Sequence, residues 1–246
     1  AALDAGDRLG NVQLTEVSGA GSVHLERTEV RHCWVNARNI GKGGGVYAEH
    51  DVTAIDTAIY LNKATGTFHG NGAGIHALGH ITLHRSRVLK NEGLHSAGIF
   101  ATGGLTMAYS TIADNHARDA AGAAYAAGDT LIAHSTISGN YSDRYGGALM
   151  LIGGKSSIVN STISGNVGAY TAAVFASDPL TISNSTLFDS SAFTGGGIYN
   201  NADLTLINST ISGNAATTDG RNDLDHHDLT DRADAADAAA DIGSND

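Results

Sequence analysis

The chain has 246 residues, 41% hydrophobic and only 16% charged, with a formal net charge of −11. Such a chain can bury a core, but it lacks the clustered cations needed to hold a nucleic-acid backbone or a polybasic membrane contact. One proline against 32 glycines, among many β-branched residues, does not fit low-complexity disorder, and a single cysteine, Cys33, excludes an intrachain disulfide.

Cys33 reads as a small buried hydrophobe, because no metal-ligand spacing follows it. No apolar run approaches ~18 residues, so no membrane-spanning helix is predicted. No signal peptide is visible. The start "AALDAGD" suits a chain whose export signal has been removed, and suits an arbitrary chain boundary equally.

Residues 1–21 follow no repeat and are predicted as an N-terminal cap. From 22 to 216 the chain repeats itself. A Ser or Thr opens each unit at Thr28, Thr57, Ser86, Ser110, Ser135, Ser161, Ser185 and Ser209, at spacings of 29, 29, 24, 25, 26, 24 and 24 residues. Two residues later stands an aliphatic: Val30, Ile59, Val88, Ile112, Ile137, Ile163, Leu187, Ile211. Five residues after the opening residue comes Asn62, Asn91, Asn115, Asn140, Asn166 or Asn214, with Cys33 and Ser190 as exceptions. A second segment follows: "GGGVYA" at 43–48, "GAGIHA" at 72–77, "SAGIFA" at 96–101, "GGALML" at 146–151, "TAAVFA" at 171–176 and "GGGIYN" at 195–200. Length varies only between the Asn and this segment, and the extra residues of the two long units fall at 36–42 and 62–71.

Each unit thus holds about three short runs alternating at period two, the pattern of half-buried strands, and no 3.6-residue period. A unit of ~24 residues cannot bury its own apolar face, but stacked copies can, each strand pairing with its equivalent ~4.8 Å away. The predicted fold is all-β, a right-handed parallel β-helix of about eight coils with terminal caps. A leucine-rich solenoid would need a Leu framework, and a propeller ~40 residues per blade. The Asn column is expected at an αL turn, hydrogen-bonded coil to coil. The Gly pair is expected to permit a sharp entry turn. Residues 217–246 are predicted as an acidic C-terminal cap or tail, with one short helix in the alanine-rich stretch 228–241.

These repeats resemble bacterial surface proteins with right-handed parallel β-helix repeats. That group includes the chlamydial polymorphic outer-membrane proteins and is akin to autotransporter passengers. The resemblance rests on Gly146-Gly147-Ala148-Leu149 and on the series Ile137-Ser138-Gly139-Asn140, Ile163-Ser164-Gly165-Asn166 and Ile211-Ser212-Gly213-Asn214. "ADIG" at 240–243 also resembles a "DIGA" ending of such repeat proteins, though Ser244 follows. It covers roughly 22–216 and implies an extracellular or bacterial cell-surface location. Adhesins, passengers and polysaccharide lyases share the scaffold, so it does not choose among them.

With the aliphatics inward, Tyr47, His76, Phe100, Tyr125, Met150, Phe175 and Tyr199 form one outward column, a stripe ~30 Å long at strand spacing. Tyr47, His76, Phe100, Tyr125, Phe175 and Tyr199 are the candidate ligand-binding residues, their ring faces suited to sugars or to a cell-surface protein. The alternative is that the loops fold over the stripe, or that the register is reversed and these rings are core. The loops 36–42 and 62–71 are expected to wall a groove beside its N-terminal end, where His76 would make contact pH-sensitive. The column Thr111, Thr136, Thr162, Thr186, Thr210 has the periodicity of ice-binding solenoids, but Thr is also an ordinary exposed strand residue, and Arg87 and Phe188 interrupt any flat lattice.

Arg27, Asp56 and Arg85 are expected to stack as a cation–anion–cation ladder in coils 1–3, with Glu29, Arg31, His84 and Arg87 around it. As a polysaccharide lyase, the chain would draw on Arg31, Arg87, Glu29 and His84, with Ca²⁺ or acidic groups neutralising a uronate. Lyase and galacturonase signatures are absent: there is no Asn-Thr-Asp, no Asp-Asp pair in a strand and no Gly-His-Gly. No nucleophile triad, phosphate loop or dinucleotide motif stands in the chain, "GKGGG" at 41–45 precedes a strand, and only "DLDHHD" at 223–228 suggests a divalent ion. The sequence favours a rigid binding or adhesion surface for a glycan or protein, with no cofactor, over a lyase or hydrolase on the same scaffold.

Overall fold

The computed structural model describes residues 17–19, 21–37, 40–66, 69–218, 221–222 and 242–244. They form a right-handed parallel β-helix of about seven turns. Three wholly parallel sheets build it. One has nine strands, from Val17–Gly19 through Val46–Ala48 and Ile75–Ala77 to Ile198–Asn200 and Ile242–Ser244. The other two have eight each, from Val23–Glu26 to Leu204–Ile207 and from Glu29–Arg31 to Thr210–Ser212. A fourth, short run follows most of the Asn column, as in Glu92–Gly93, His116–Ala117 and Tyr141–Ser142, and after Asn166 only Val167 bridges its neighbours. The end strands of the nine-stranded sheet, Val17–Gly19 and Ile242–Ser244, pair with Val46–Ala48 and Ile198–Asn200. The acidic stretch 223–241, with its expected helix and its "DLDHHD", lies outside the described residues. Among the described residues no helix is long and apolar enough to cross a membrane.

The expected inward stack is present. Ile112, Ile137, Ile163, Leu187 and Ile211 are consecutive register partners, the first four fully buried and Ile211 8% exposed. The second column, Leu83, Met107, Ile132, Ile158 and Ile182, and the third, Ile75, Ile99, Leu149, Val174 and Ile198, are buried likewise. Val30 is buried at the place equivalent to Ile112 in the first coil, and Cys33, also buried, stands there where later coils carry Asn. Each fully buried aliphatic contributes about 1.5–3 kcal/mol, so the repetition itself supplies the core.

Each coil turns two corners on left-handed residues. The residue before the opening Ser or Thr (Arg27, Asp56, Arg85, Tyr109, His134, Asn160, Asn184, Asn208) has φ of 47–51°. The residue before the Asn column (His32, Leu61, Lys90, Asp114, Gly139, Gly165, Asp189, Gly213) has φ of 52–64°. This corrects the expectation for the Asn column, which is not itself left-handed. The preceding residue makes the turn, and the turn swings the Asn amide into the coil. Non-glycine residues at such a conformation cost ~1–2 kcal/mol each.

Side-chain ladders inside the corners offset that cost. The backbone N–H groups of Cys33, Asn62, Asn91, Asn115 and Asn140 donate to the Oδ1 of the Asn one coil on, at 3.0–3.1 Å. The Nδ2 of Asn62, Asn91, Asn115 and Asn140 donates to the same oxygen at 2.9–3.0 Å. Ser190 continues the ladder with its hydroxyl, accepting from Asn166 N at 3.3 Å, while its own N–H donates to Asn214 Oδ1 at 3.0 Å. At the other corner the opening hydroxyls form a second ladder. Ser86, Ser110, Ser135 and Ser161 each donate N–H to the hydroxyl one coil on, at 3.0–3.2 Å. The hydroxyls in turn donate to the carbonyl two residues back, as Ser135 does to Ala133 at 2.7 Å.

The expected turn is present at Gly43 and Gly72, which open the segment in the two long coils with φ of 61° and 59°, but the later glycine has a different cause. Gly74, Gly98, Gly147 and Gly196 do not have positive φ. Instead they lie against the next coil. A Cβ on Gly147 would sit 2.6 Å from Val167 C, 2.7 Å from Val167 O and 2.8 Å from Ala172 O. The expected loops 36–42 and 62–71 are strands rather than a free wall. Trp34–Ala37 pairs with Lys63–Gly66, and Ile40–Lys42 with His69–Asn71, all in parallel. Extra residues in one coil find partners in the equal excess of the next, so the two long coils come as neighbours.

Candidate functional site

The stripe forms on the nine-stranded sheet. Tyr47, His76, Phe100, Tyr125, Met150, Phe175 and Tyr199 are successive register partners. They face outward between the buried positions on either side, so the reversed register is excluded. All are half-buried except His76, which is 1% exposed. His76 is sandwiched between Tyr47, with ring centroids 5.4 Å apart, and Phe100, at 4.9 Å and an interplanar angle of 4°. Buried so, its ring offers a partner little surface.

Phe100 and Tyr125 stack at 4.8 Å and 6°, and Phe175 and Tyr199 at 5.7 Å and 11°. Rings stacked along the coil axis spend their faces on one another and turn their edges to solvent. The open ring faces expected from the sequence are thereby taken up within the stack. Among the described residues the stack is broken at Met150, between Tyr125 and Phe175, and ends at Tyr199, whose outer register partner is Gly243. The opposite end, Tyr47, lies 5.8 Å from the Lys42 ammonium, which holds the outer part of the long coils against the stripe.

A second aromatic group, not evident from the repeat pattern, stands in the loops. Tyr141, Tyr145, Tyr170 and Phe193 stand in the variable loops of three consecutive coils, 42%, 37%, 54% and 47% exposed. Tyr145 and Tyr170 stack at 5.5 Å, and the Arg144 guanidinium lies 4.9 Å over Tyr145. A shallow groove of about 220 Å³ runs between Tyr141 and Phe193. The available signal was the aromatic in each of "NYSDRYGG", "NVGAYT" and "SSAFTGG", hidden by loop lengths that blur alignment.

The charged residues of coils 1–3 line a cleft of about 420 Å³, bounded by Arg27, Glu29, Asp56, Arg85 and Arg87 over the small Ala58. Of the expected three-membered ladder only one pair forms. Arg85 grips Asp56 through Nε at 2.7 Å and Nη2 at 2.8 Å, holding the Asp56 carboxyl below the usual carboxylate range. Arg27 turns instead to Glu26 at 2.9 Å. Arg31 pairs with Glu29 at 3.5 Å, and Tyr60 donates to the same Glu29 oxygen at 3.3 Å. His84 Nε2 sits against the Arg85 guanidinium, and its ring meets Tyr109 edge-on at 5.7 Å. Of the lyase candidates the cleft therefore gathers Glu29 and Arg87, with Arg31 and His84 at its margin. Among the described residues only Arg87 of these arginines makes no ion pair. Arg85 would first have to leave Asp56 to act at this cleft, whereas Arg87 would not.

Across the short fourth run, Glu92 takes Lys63 at 2.7 Å and Arg118 at 3.4 Å. Lys63 holds the Glu92 carboxyl below its ordinary range. A depressed carboxylate stabilises the fold above its unfolded pKa and loses that contribution as pH falls through the lowered value. Stability should thus decline on the acid side of the carboxylate range. Lys63→Met should flatten part of that decline in urea titrations between pH 6 and 3, by well under 1 kcal/mol because the pair is half-exposed. An unchanged acid limb would show the pair to be idle. Among the described residues no group of three or more His, Cys, Asp or Glu is placed to hold a metal ion.

Compared with protein-family models, curated proteins and solved structures, the chain matches none of them.

Proposed function

We propose that this β-helix is a rigid display scaffold, outside the cell or at a bacterial cell surface, that binds a glycan or a surface protein along the Tyr47–Tyr199 stripe. The observation that carries this reading is the unbroken register of seven large side chains on one face of a laddered rod. A rod fixed by two hydrogen-bonded ladders loses little conformational freedom when a partner docks, which favours affinity. The outward ring edges carry the positive part of the aromatic quadrupole, so they suit carbonyl, carboxylate or hydroxyl oxygens of a partner better than sugar faces. Aromatic contacts that exclude water are also the anchors of protein interfaces. The resemblance of the repeats to those of bacterial surface proteins supports the location.

Glycan arrays and surface-protein binding assays test it with Phe100→Ala and Tyr125→Ala. Each should weaken binding about 10-fold, the effect of one aromatic anchor. Stability should fall only modestly, by about 0.5–1.5 kcal/mol per lost ring pair, rather than by the ~3–5 kcal/mol of a core aromatic. Variants that bind like the parent would remove the stripe from the function. The cleft over Ala58 favours a second reading, a uronate-acting lyase. Ultraviolet-absorbing unsaturated product from uronate polymers, lost in Arg87→Gln, would move the function there.

A further inference from the structure

The opening motif of the repeats carries more than the fold. Four Asn-x-Ser/Thr triplets occur in the chain, at Asn140-Tyr141-Ser142, Asn160-Ser161-Thr162, Asn184-Ser185-Thr186 and Asn208-Ser209-Thr210. Such triplets are acceptors for N-linked sugar where the asparagine reaches the surface. The structure sorts the four into two kinds. Asn140 is fully buried, and its Nδ2 donates to Asn166 Oδ1 at 3.0 Å and to the Ile112 and Ser138 carbonyls at 3.1 Å. Asn160, Asn184 and Asn208 are exposed at the left-handed corner, one above another in consecutive coils. Among the described residues their amides make only long contacts, Asn160 Nδ2 to His134 at 3.4 Å and Asn208 Nδ2 to Asn184 Oδ1 at 3.4 Å.

The other two residues of each exposed triplet divide their roles. The middle Ser belongs to the hydroxyl ladder. The final Thr points out of the neighbouring sheet, and among the described residues no hydrogen bond engages the hydroxyls of Thr162, Thr186 or Thr210. An amide nitrogen and a free threonine hydroxyl are thus offered together at one corner. The same corner holds Arg27, Asp56, Arg85, Tyr109 and His134 in the first five coils, so the offer is confined to the C-terminal part of the rod.

We propose that Asn160, Asn184 and Asn208 are acceptor sites for N-linked glycosylation, and that Asn140, with the same triplet, is not. A glycosyltransferase would present a sugar activated by a phosphate or pyrophosphate leaving group. The asparagine Nδ2 attacks the anomeric carbon, the bond from that carbon to the leaving oxygen breaks, and the nitrogen gives up one proton to a base. The (pyro)phosphate departs with the bonding electrons, and no oxidation state changes. The sugars would stand on the corner between the two eight-stranded sheets, clear of the aromatic stripe on the third.

Intact mass and peptide mapping of the chain isolated from its native host test this directly. The expected result is sugar-sized mass increments on peptides containing Asn160, Asn184 or Asn208, an unmodified Asn140 peptide, and loss of all increments in the triple Asn→Gln variant. As a second measurement, the folded chain is incubated with a soluble N-glycosyltransferase and a nucleotide sugar. The three corner sites should accept sugar, and Asn140 only after denaturation. Recovery of all three corner peptides unmodified from the host overturns the proposal, as does sugar on Asn140 of the folded chain.

Discussion

Asn115→Ala should lower the stability of the fold by about 3 kcal/mol or more, read as a shift of the urea midpoint without a change of slope. Asn115 is fully buried and works in both directions. Its Oδ1 accepts from Asn91 N at 3.0 Å and Asn91 Nδ2 at 2.9 Å, and its Nδ2 donates to Asn140 Oδ1 at 2.9 Å and to the Val88 and Ala113 carbonyls at 3.0 Å. Truncation strands donors in the coil before and weakens an acceptor in the coil after, and each unsatisfied buried group costs ~1–3 kcal/mol. Asn115→Asp keeps the shape and the accepting oxygen but turns a donor into an acceptor facing two carbonyls, so it should be at least as harmful. A midpoint unchanged by Asn115→Ala would mean that water enters the corner and that the ladder contributes little.

Gly147→Ala should be of comparable severity, about 3 kcal/mol or beyond, although it adds a single methyl group. The added carbon would meet backbone atoms of Val167 and Ala172, and backbone cannot rotate out of the way as a side chain can. Coils 5 and 6 would have to separate locally, breaking the Gly147 N–H to Thr171 carbonyl bond of 2.8 Å. By contrast Gly153→Ala should cost much less than a core clash. Its φ of 73° carries the left-handed penalty, but an added Cβ would meet only one atom, at 3.9 Å. Equal losses in the two variants would show that the close approach at Gly147 costs no more than the left-handed penalty at Gly153.

The sequence displayed the fold because period and register are the same fact in a solenoid. Ile112, Ile137 and Ile163 could be stacked on paper by counting residues, and they pair so in space. The Asn ladder was legible for the same reason. What counting could not give was direction within the rung. Nothing in the spacing tells that Asp114 rather than Asn115 takes the left-handed corner, or that Gly147 is small because Val167 lies against it. The site was legible as a column but not as a surface. Tyr47 to Tyr199 emerged from alternation, whereas ring orientation follows from stacking at strand spacing, which occupies the faces. Charge pairing was the least legible. Arg27 and Arg85 flank Asp56 in register, yet Arg27 finds Glu26 first, a choice made by side-chain reach.

The equivalence of successive corners makes the length of this molecule a count. Ser161 and Ser185 occupy one place in two coils, 24 residues apart, and both the residue before and the hydroxyl itself are of the same kind in each. Joining Asn160 to Ser185 would excise one coil and leave the partners on either side chemically matched; copying the same stretch would insert one. Each such step moves the two ends by about 4.8 Å and nothing else. A chain organised in this way can be lengthened or shortened by whole units of reach, like a ruler cut only at its graduations, while any partial cut throws every ladder out of step.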